Sequence, residues 1–289
     1  MTLFDLLHQE FVQNAFLSGT IIALVSGIVG YFIILRGQAF ATETLSHVGF
    51  AGGAGAALMG VNSLLGMFFL TVITAAGMGA LGKRIKGRDV EVGMVLSFML
   101  GLGVLFLSLY AQNATKAVNL LFGSILSVTR TDVLLTLGSS IVVLTVLIVL
   151  YRPLLFASLD PVVAEARGVP IQILSILFLL ILALTVSQAV EVVGTLLVFA
   201  LLIVPAASAE HVASRPFSAL ILSVAISLIS TWTGLTLSLI GHQPASFYIV
   251  ALTSLFYALS YIARRFYFPR RNQNSAGLPG ISVSGKAQS

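Results

Sequence analysis

Glu43 and His47 stand four residues apart in the stretch Thr42-Glu43-Thr44-Leu45-Ser46-His47. On a helix that spacing puts both side chains on one face, one turn apart. A carboxylate and an imidazole so placed offer an oxygen and a nitrogen donor, a set that suits a divalent cation such as Zn²⁺ or Mn²⁺. The same spacing also suits a plain Glu–His hydrogen bond at a helix start, and the residues alone leave both readings open. Glu191 and His242 are further donors beside apolar runs. Position alone favours reading them as solvated loop residues, with ligands lining an ion path as the alternative. Glu210 and His211 close another apolar run and read as facing water beside Arg215. The four histidines are scattered and no H-E-x-x-H occurs, which argues against a hydrolytic metal centre.

The elements that must position these groups are membrane spans. Of the 289 residues, 58% are hydrophobic and only 9% charged. A soluble domain is roughly 25% charged, so an ordinary soluble enzyme, a disordered chain and a coiled coil are excluded. The absence of cysteine excludes a disulfide scaffold. Runs of about 20 apolar residues, enough to cross a hydrocarbon core about 30 Å thick, fall at 14–35, 44–60, 63–82, 91–110, 132–151, 171–189, 192–211, 217–240 and 246–263. The predicted fold is therefore all-α, a polytopic membrane helical bundle of about nine spans. Residues 1–271 form one transmembrane domain, and the Gly/Ser/Asn-rich stretch 272–289 is expected to be a disordered tail. No cleavable leader is expected at the N-terminus. The apolar stretch 117–128 is too short to span and reads as a surface or re-entrant segment.

With the loop holding Lys83, Arg84, Lys86 and Arg88 placed in the cytoplasm, thirteen of the fifteen basic residues fall on that side. The N-terminus is then outside and the C-terminus inside. The net charge of +5 is thus a topology signal and not a nucleic-acid signal. Small residues crowd inside spans, as in 51–57, where they let helices approach closely or line a path. Pro205 lies within the seventh span, where it removes a backbone donor; it either kinks the packing or opens the helix onto a cavity. Between spans five and six, residues 158–169 read as a short helix at the membrane face. Asp160 is its N-cap, Pro161 its first position, Ala164 its middle and Gly168 its stop. Such a helix is a plain connector or a docking element for a soluble partner.

Three of these stretches carry a resemblance. Thr42–His47 is similar to the Gly-Asp-Ala-Leu-Ser-His segment of the membrane subunits of zinc/manganese-type ABC transporters. Val193-Gly194-Thr195-Leu196-Leu197-Val198, continuing to Leu201-Leu202-Ile203-Val204-Pro205-Ala206-Ala207, resembles that family's Gly-x-Leu-Leu…Ala-Leu-Leu-Ile-x-Pro-Ala-Ala stretch. The 158–169 loop looks like the coupling helix that such permeases present to their ATPase. The likeness runs from about residue 14 to 265. It implies a permease in the bacterial plasma membrane that pairs with a second copy of itself, binds a separate ATPase and receives zinc, manganese or iron from an extracytoplasmic solute-binding protein. The cation is cargo, and no permanent cofactor is implied. Glu43, His47, Glu191 and His242 become the metal-contacting candidates, and Asp160, Pro161, Ala164 and Gly168 the ATPase-coupling ones. The chain departs from the pattern at Glu43, where the family usually has Asp, and at His242-Gln243-Pro244-Ala245-Ser246, where it commonly has Asp-x-Pro-x-Gly. No G-x-x-x-x-G-K-[ST] loop is present, so ATP hydrolysis is assigned to the partner. The competing functions are a permease for a metal chelate such as a siderophore or corrinoid, with a wider pore, and an ion-coupled secondary transporter, for which an internal repeat is missing.

Overall fold

The computed structural model describes residues 9–80, 88–109, 123, 125–213, 215–241 and 243–267. The expectations for His242, for the Lys83–Arg84–Lys86 loop, for most of 117–128 and for the 272–289 tail lie outside these residues. Long helices dominate because the apolar runs must satisfy every backbone N–H and C=O without help from water. They are α1 (Glu10–Leu35), α2 (Ala39–Leu58), α3 (Ser63–Ala80), α4 (Arg88–Leu109), α5 (Arg130–Leu159), the short α6 (Pro161–Ala166), α7 (Ile171–Val193), α8 (Thr195–Leu202), α9 (Val204–Val212), α10 (Pro216–Gly241) and α11 (Ala245–Tyr267). One 3₁₀ turn at Ile125–Ser127 precedes α5.

Among the described residues, eight spans are long and apolar enough to cross a bilayer, with α8 and α9 together forming one of them. The ninth expected span, α2, does not meet that standard. Its polar residues and glycines lower its hydropathy, yet most of its length from Thr42 to Ala56 is buried. A helix wrapped by protein does not have to dissolve in lipid. The expected start of this span, just after Glu43, is corrected as well: α2 begins at Ala39, so both Glu43 and His47 lie inside the helix.

The centre of the bundle is α1, α2 and α7 with the broken pair α8–α9. Within their membrane windows α1 and α7 are each 67% buried, against 11% for α4. Phe32, Phe178, Leu182, Leu197 and Leu202 are fully buried among them, and Phe32 meets Tyr151 and Phe178 edge-on at 5.8 Å and 6.4 Å. Lipid gives little hydrophobic drive between spans, so close backbone approach and interhelical hydrogen bonds must hold them. α2 and α3 touch backbone to backbone, and a Cβ on Gly52 or Gly66 would collide with the other's carbonyl. Thr71 of α3 and Ser187 of α7 share a hydrogen bond of 2.8 Å.

Two ends of the bundle are fixed by polar contacts. At one, Arg130 donates to Glu10 at 2.6 Å and Asn14 donates to the Val128 carbonyl at 3.3 Å. At the other, Arg36 joins α1 to the end of α5 and the start of α7. The 30 residues of α5 span about 45 Å at 1.5 Å each, more than the hydrocarbon core. The short α6 follows directly at its C-terminal end.

Candidate functional site

Glu43 and His47 are one turn apart on α2, and His47 Nε2 lies 3.1 Å from Glu43 Oε1. The pair is shielded, with side-chain exposures of 29% for Glu43 and 12% for His47. The nearby hydroxyls are turned to backbone. Ser46 donates to the Glu43 carbonyl at 2.8 Å, and Thr44 donates to the carbonyls of Phe40 and Val92 at 3.0 Å and 3.4 Å. The far atoms of the pair, Glu43 Oε2 and His47 Nδ1, are buried without a partner. An unsatisfied buried polar atom costs about 1–3 kcal/mol, so each of these two atoms calls for a further partner. Among the described residues no three His, Asp or Glu side chains converge on one point. Glu43 and His47 could together offer a cation two protein ligands.

Glu191 belongs to a different place. It lies in the last turn of α7 and lines a cleft of about 360 Å³ with Asn62, Asp132, Thr136, Ser139 and Gln188. Its Oε2 is buried without a partner, as is Gln188 Nε2, while Ser140 donates to Gln188 Oε1 at 3.3 Å. Asn62 follows the C-terminus of α2, whereas Glu43 is near its N-terminus. From Glu43 to Leu58 the helix rises about 22 Å. Glu43/His47 and Glu191 therefore mark opposite ends of α2, and the structure does not bring them together.

Sequence reasoning passed over Gln188, Asp132 and Glu91. Gln188 was visible as an amide three residues before Glu191 in an apolar run, on the same helix face. Glu91, whose Oε2 is buried without a partner, precedes Val92, the residue whose carbonyl receives Thr44. Only the packing of α4 on α2 reveals that neighbourhood.

The broken span is divided at Ile203, with φ −99° and ψ −47°, between α8 and α9. Pro205 lies buried in the first turn of α9, where its missing N–H costs least. At the far end of α9, Glu210 is exposed and lines a cleft of about 130 Å³ with Tyr31, Leu159 and Arg215. His211, expected to face water beside Arg215, is half-buried and turned toward α11. It packs near the Tyr257 and Tyr261 rings at 5.3 Å and 6.0 Å, and Arg264 donates to its Nδ1 at 2.9 Å.

Helix α6 is closed at both ends by its sequence. Asp160 accepts from the Val163 N–H at 3.0 Å, and Pro161 occupies the first turn. Gly168 takes φ +81°, and the N–H groups of Gly168 and Val169 bond back to the carbonyls of Glu165 and Ala164 at 2.9 Å and 3.0 Å, a Schellman ending. Ala164 is fully buried against the bundle, while Val162 is 76% exposed. One face is thus seated and the other presents bare apolar surface.

The model of the ABC 3 transport family matches residues 8–264. The manganese transport system membrane protein MntC of Halalkalibacterium halodurans is 32% identical over 269 residues, covering 92% of this chain and 90% of the relative. The high-affinity zinc uptake system membrane protein ZnuB of Buchnera aphidicola is 29% identical over 260 residues, covering 89% and 99%. Among solved structures, PsaBC from Streptococcus pneumoniae in complex with Fab superposes with a TM-score of 0.82 at 30% identity, covering 91% of this chain and 96% of that one. Helical membrane architecture and sequence agree over nearly the whole length, and the chain belongs to the ABC 3 transport family, as a multi-pass permease subunit of the bacterial plasma membrane that is not itself an enzyme.

Proposed function

We propose that this chain lines the translocation path of an ATP-driven importer of divalent metal ions, manganese or zinc, working as a pair of copies with a separate ATPase and an extracytoplasmic binding protein. The single observation that carries the reading is the Glu43/His47 pair, with its two buried unpartnered donors on a shielded, weakly apolar helix. Oxygen and imidazole donors suit both cations, and the relatives described above carry manganese and zinc in their names. The Arg36 end of the bundle faces the cytoplasm in this reading. Arg36, Arg152, Arg167, Arg215, Arg264 and Arg265 all close spans or loops at that end, as the excess of basic residues in cytoplasmic loops requires. The cleft at Glu191 is then the outer station, and Glu43/His47 the inner one.

The test is radiolabelled Mn²⁺ and Zn²⁺ uptake into proteoliposomes holding this chain with and without its ATPase. Uptake that needs both the ATPase and ATP is the expected result. Equal uptake from the chain alone overturns the reading in favour of a secondary transporter.

Helix α6 is the coupling element, and Gly168→Pro tests it. Proline is held near φ −65°, far from the +81° at this position, and it removes the N–H that bonds to Glu165. The ending of α6 is lost without touching the spans. The variant is expected to insert normally while metal no longer stimulates ATP hydrolysis. Stimulation at the wild-type level refutes the docking role.

A further inference from the structure

Arg36 is the C-cap of α1, and it reaches the two elements between which α6 is hung. Its Nη2 donates to Ser175 Oγ at 2.7 Å, and its Nη1 donates to Ser158 Oγ at 3.5 Å. Its guanidinium carbon stands 5.3 Å from the centre of the Phe178 ring. Ser158 comes two residues before the Asp160 cap, and Ser175 and Phe178 lie in the first turns of α7. Arg36 thus touches the chain on both sides of α6.

On its other side Arg36 runs straight into α2. Gly37 takes φ +64°. The N–H groups of Gly37 and Gln38 close back on the carbonyls of Ile34 and Ile33 at 3.0 Å and 2.9 Å, and Thr42 N–H bonds to the Gln38 carbonyl at 3.1 Å. This is a fully bonded Schellman turn, with no slack between the end of α1 and the first turn of α2. Glu43 follows Arg36 by seven residues.

We propose that Arg36 is a positioning residue that carries the movement of α6 to the Glu43/His47 pair, through Ser175 and Phe178 on one side and the Gly37 turn on the other. The inference rests on the reading of α6 as the coupling helix and of Glu43/His47 as ion ligands. The chemistry calls for arginine. A planar guanidinium stacks on a ring and donates from its edge to two hydroxyls at once, whereas a lysine ammonium is a point donor on a flexible stem. A residue that merely ties the bundle together would need only one of these contacts.

The experiment uses the whole transporter in proteoliposomes, chain plus ATPase plus binding protein, with Mn²⁺ as the probe. It reads ATP hydrolysis, uptake, KM for Mn²⁺ and ions moved per ATP. Arg36→Gln and Ser175→Ala are expected to keep hydrolysis and KM within about twofold while uptake per ATP falls about tenfold or more, a loss confined to turnover. Arg36→Lys is expected to resemble Arg36→Gln, and the double variant Arg36→Gln/Ser175→Ala to be no worse than Arg36→Gln alone, because both break one linkage. Should Arg36→Gln fail to assemble, Ser175→Ala decides, since it leaves the guanidinium and its ring contact in place. Wild-type uptake per ATP in Ser175→Ala and Arg36→Gln, or a fall of hydrolysis and uptake in proportion, overturns the proposal. Glu43→Gln and Gly168→Pro run beside them keep the two failures apart. If Glu43→Gln transports normally, the ion-site reading is what fails; if it is dead while the Arg36 and Ser175 variants are coupled, only the Arg36 proposal falls.

Discussion

Glu43→Ala and His47→Ala are each expected to lower Mn²⁺ uptake by about 100-fold or more, since a loss of 10–100-fold is already typical for groups that only support a metal ligand. Each substitution removes one of two protein donors from a site where no third His, Asp or Glu converges among the described residues. Each also strips the surviving partner of its 3.1 Å contact, at a cost of about 1–3 kcal/mol in stability. The two effects are separated by Glu43→Gln, which keeps the shape and a hydrogen-bonding oxygen but loses the charge. Glu43→Gln is expected to assemble with the ATPase as the wild type does and still to lose uptake. Assembly of both alanine variants with normal uptake would remove the pair from the ion path.

The second large effect concerns the fold. Gly30 of α1 faces the end of α8, and a Cβ there would collide with the Leu202 carbonyl. The obstacle is backbone at the break in the seventh span, with Ala206 of α9 just beyond it, so no flexible side chain can move aside. Overpacking of this kind costs about 1–3 kcal/mol and sometimes more. Gly30→Ala is expected to lower the yield of folded transporter and its thermal midpoint, by ~2–4 °C for each kcal/mol lost. Gly77→Ala is the control. Gly77 is helical, and a Cβ there meets nothing within 4 Å. It is therefore expected to be neutral, or to gain the ~0.5–1 kcal/mol by which alanine exceeds glycine in a helix. Equal behaviour of the two variants contradicts the close approach of α1 and α8.

The spans were legible because a run of about 20 apolar residues has few other fates. Even so, the boundary at α2 was misread. A carboxylate in lipid is costly, so an apolar run is expected to start after Glu43, but α2 is wrapped by protein and keeps its polar pair inside. The Glu–His contact was foreseeable from the i, i+4 spacing, since it depends only on one helix. The alternation of spans already sets the pair and Glu191 toward opposite membrane faces, but whether α2 bends to bring them together depends on tertiary packing that no local pattern carries. The same limit hid Arg36. Its partners lie 122 and 139 residues away, and nothing in the local pattern of α1 points to them. His211 was misplaced for a related reason: its partner Arg264 arrives on α11, 53 residues on. Short closed devices such as the α6 caps were readable, since the cap, the proline and the glycine all act on their own backbone neighbours.

The most direct measurement is the anomalous scattering of Mn²⁺ in crystals of the intact transporter, collected at the manganese edge with wild type and Glu43→Ala side by side. A peak between the Glu43 carboxylate and the His47 ring, absent from the variant, is the expected result. A peak elsewhere along the path that persists in Glu43→Ala, with none at this pair, contradicts the assignment of Glu43 and His47 as the ion site.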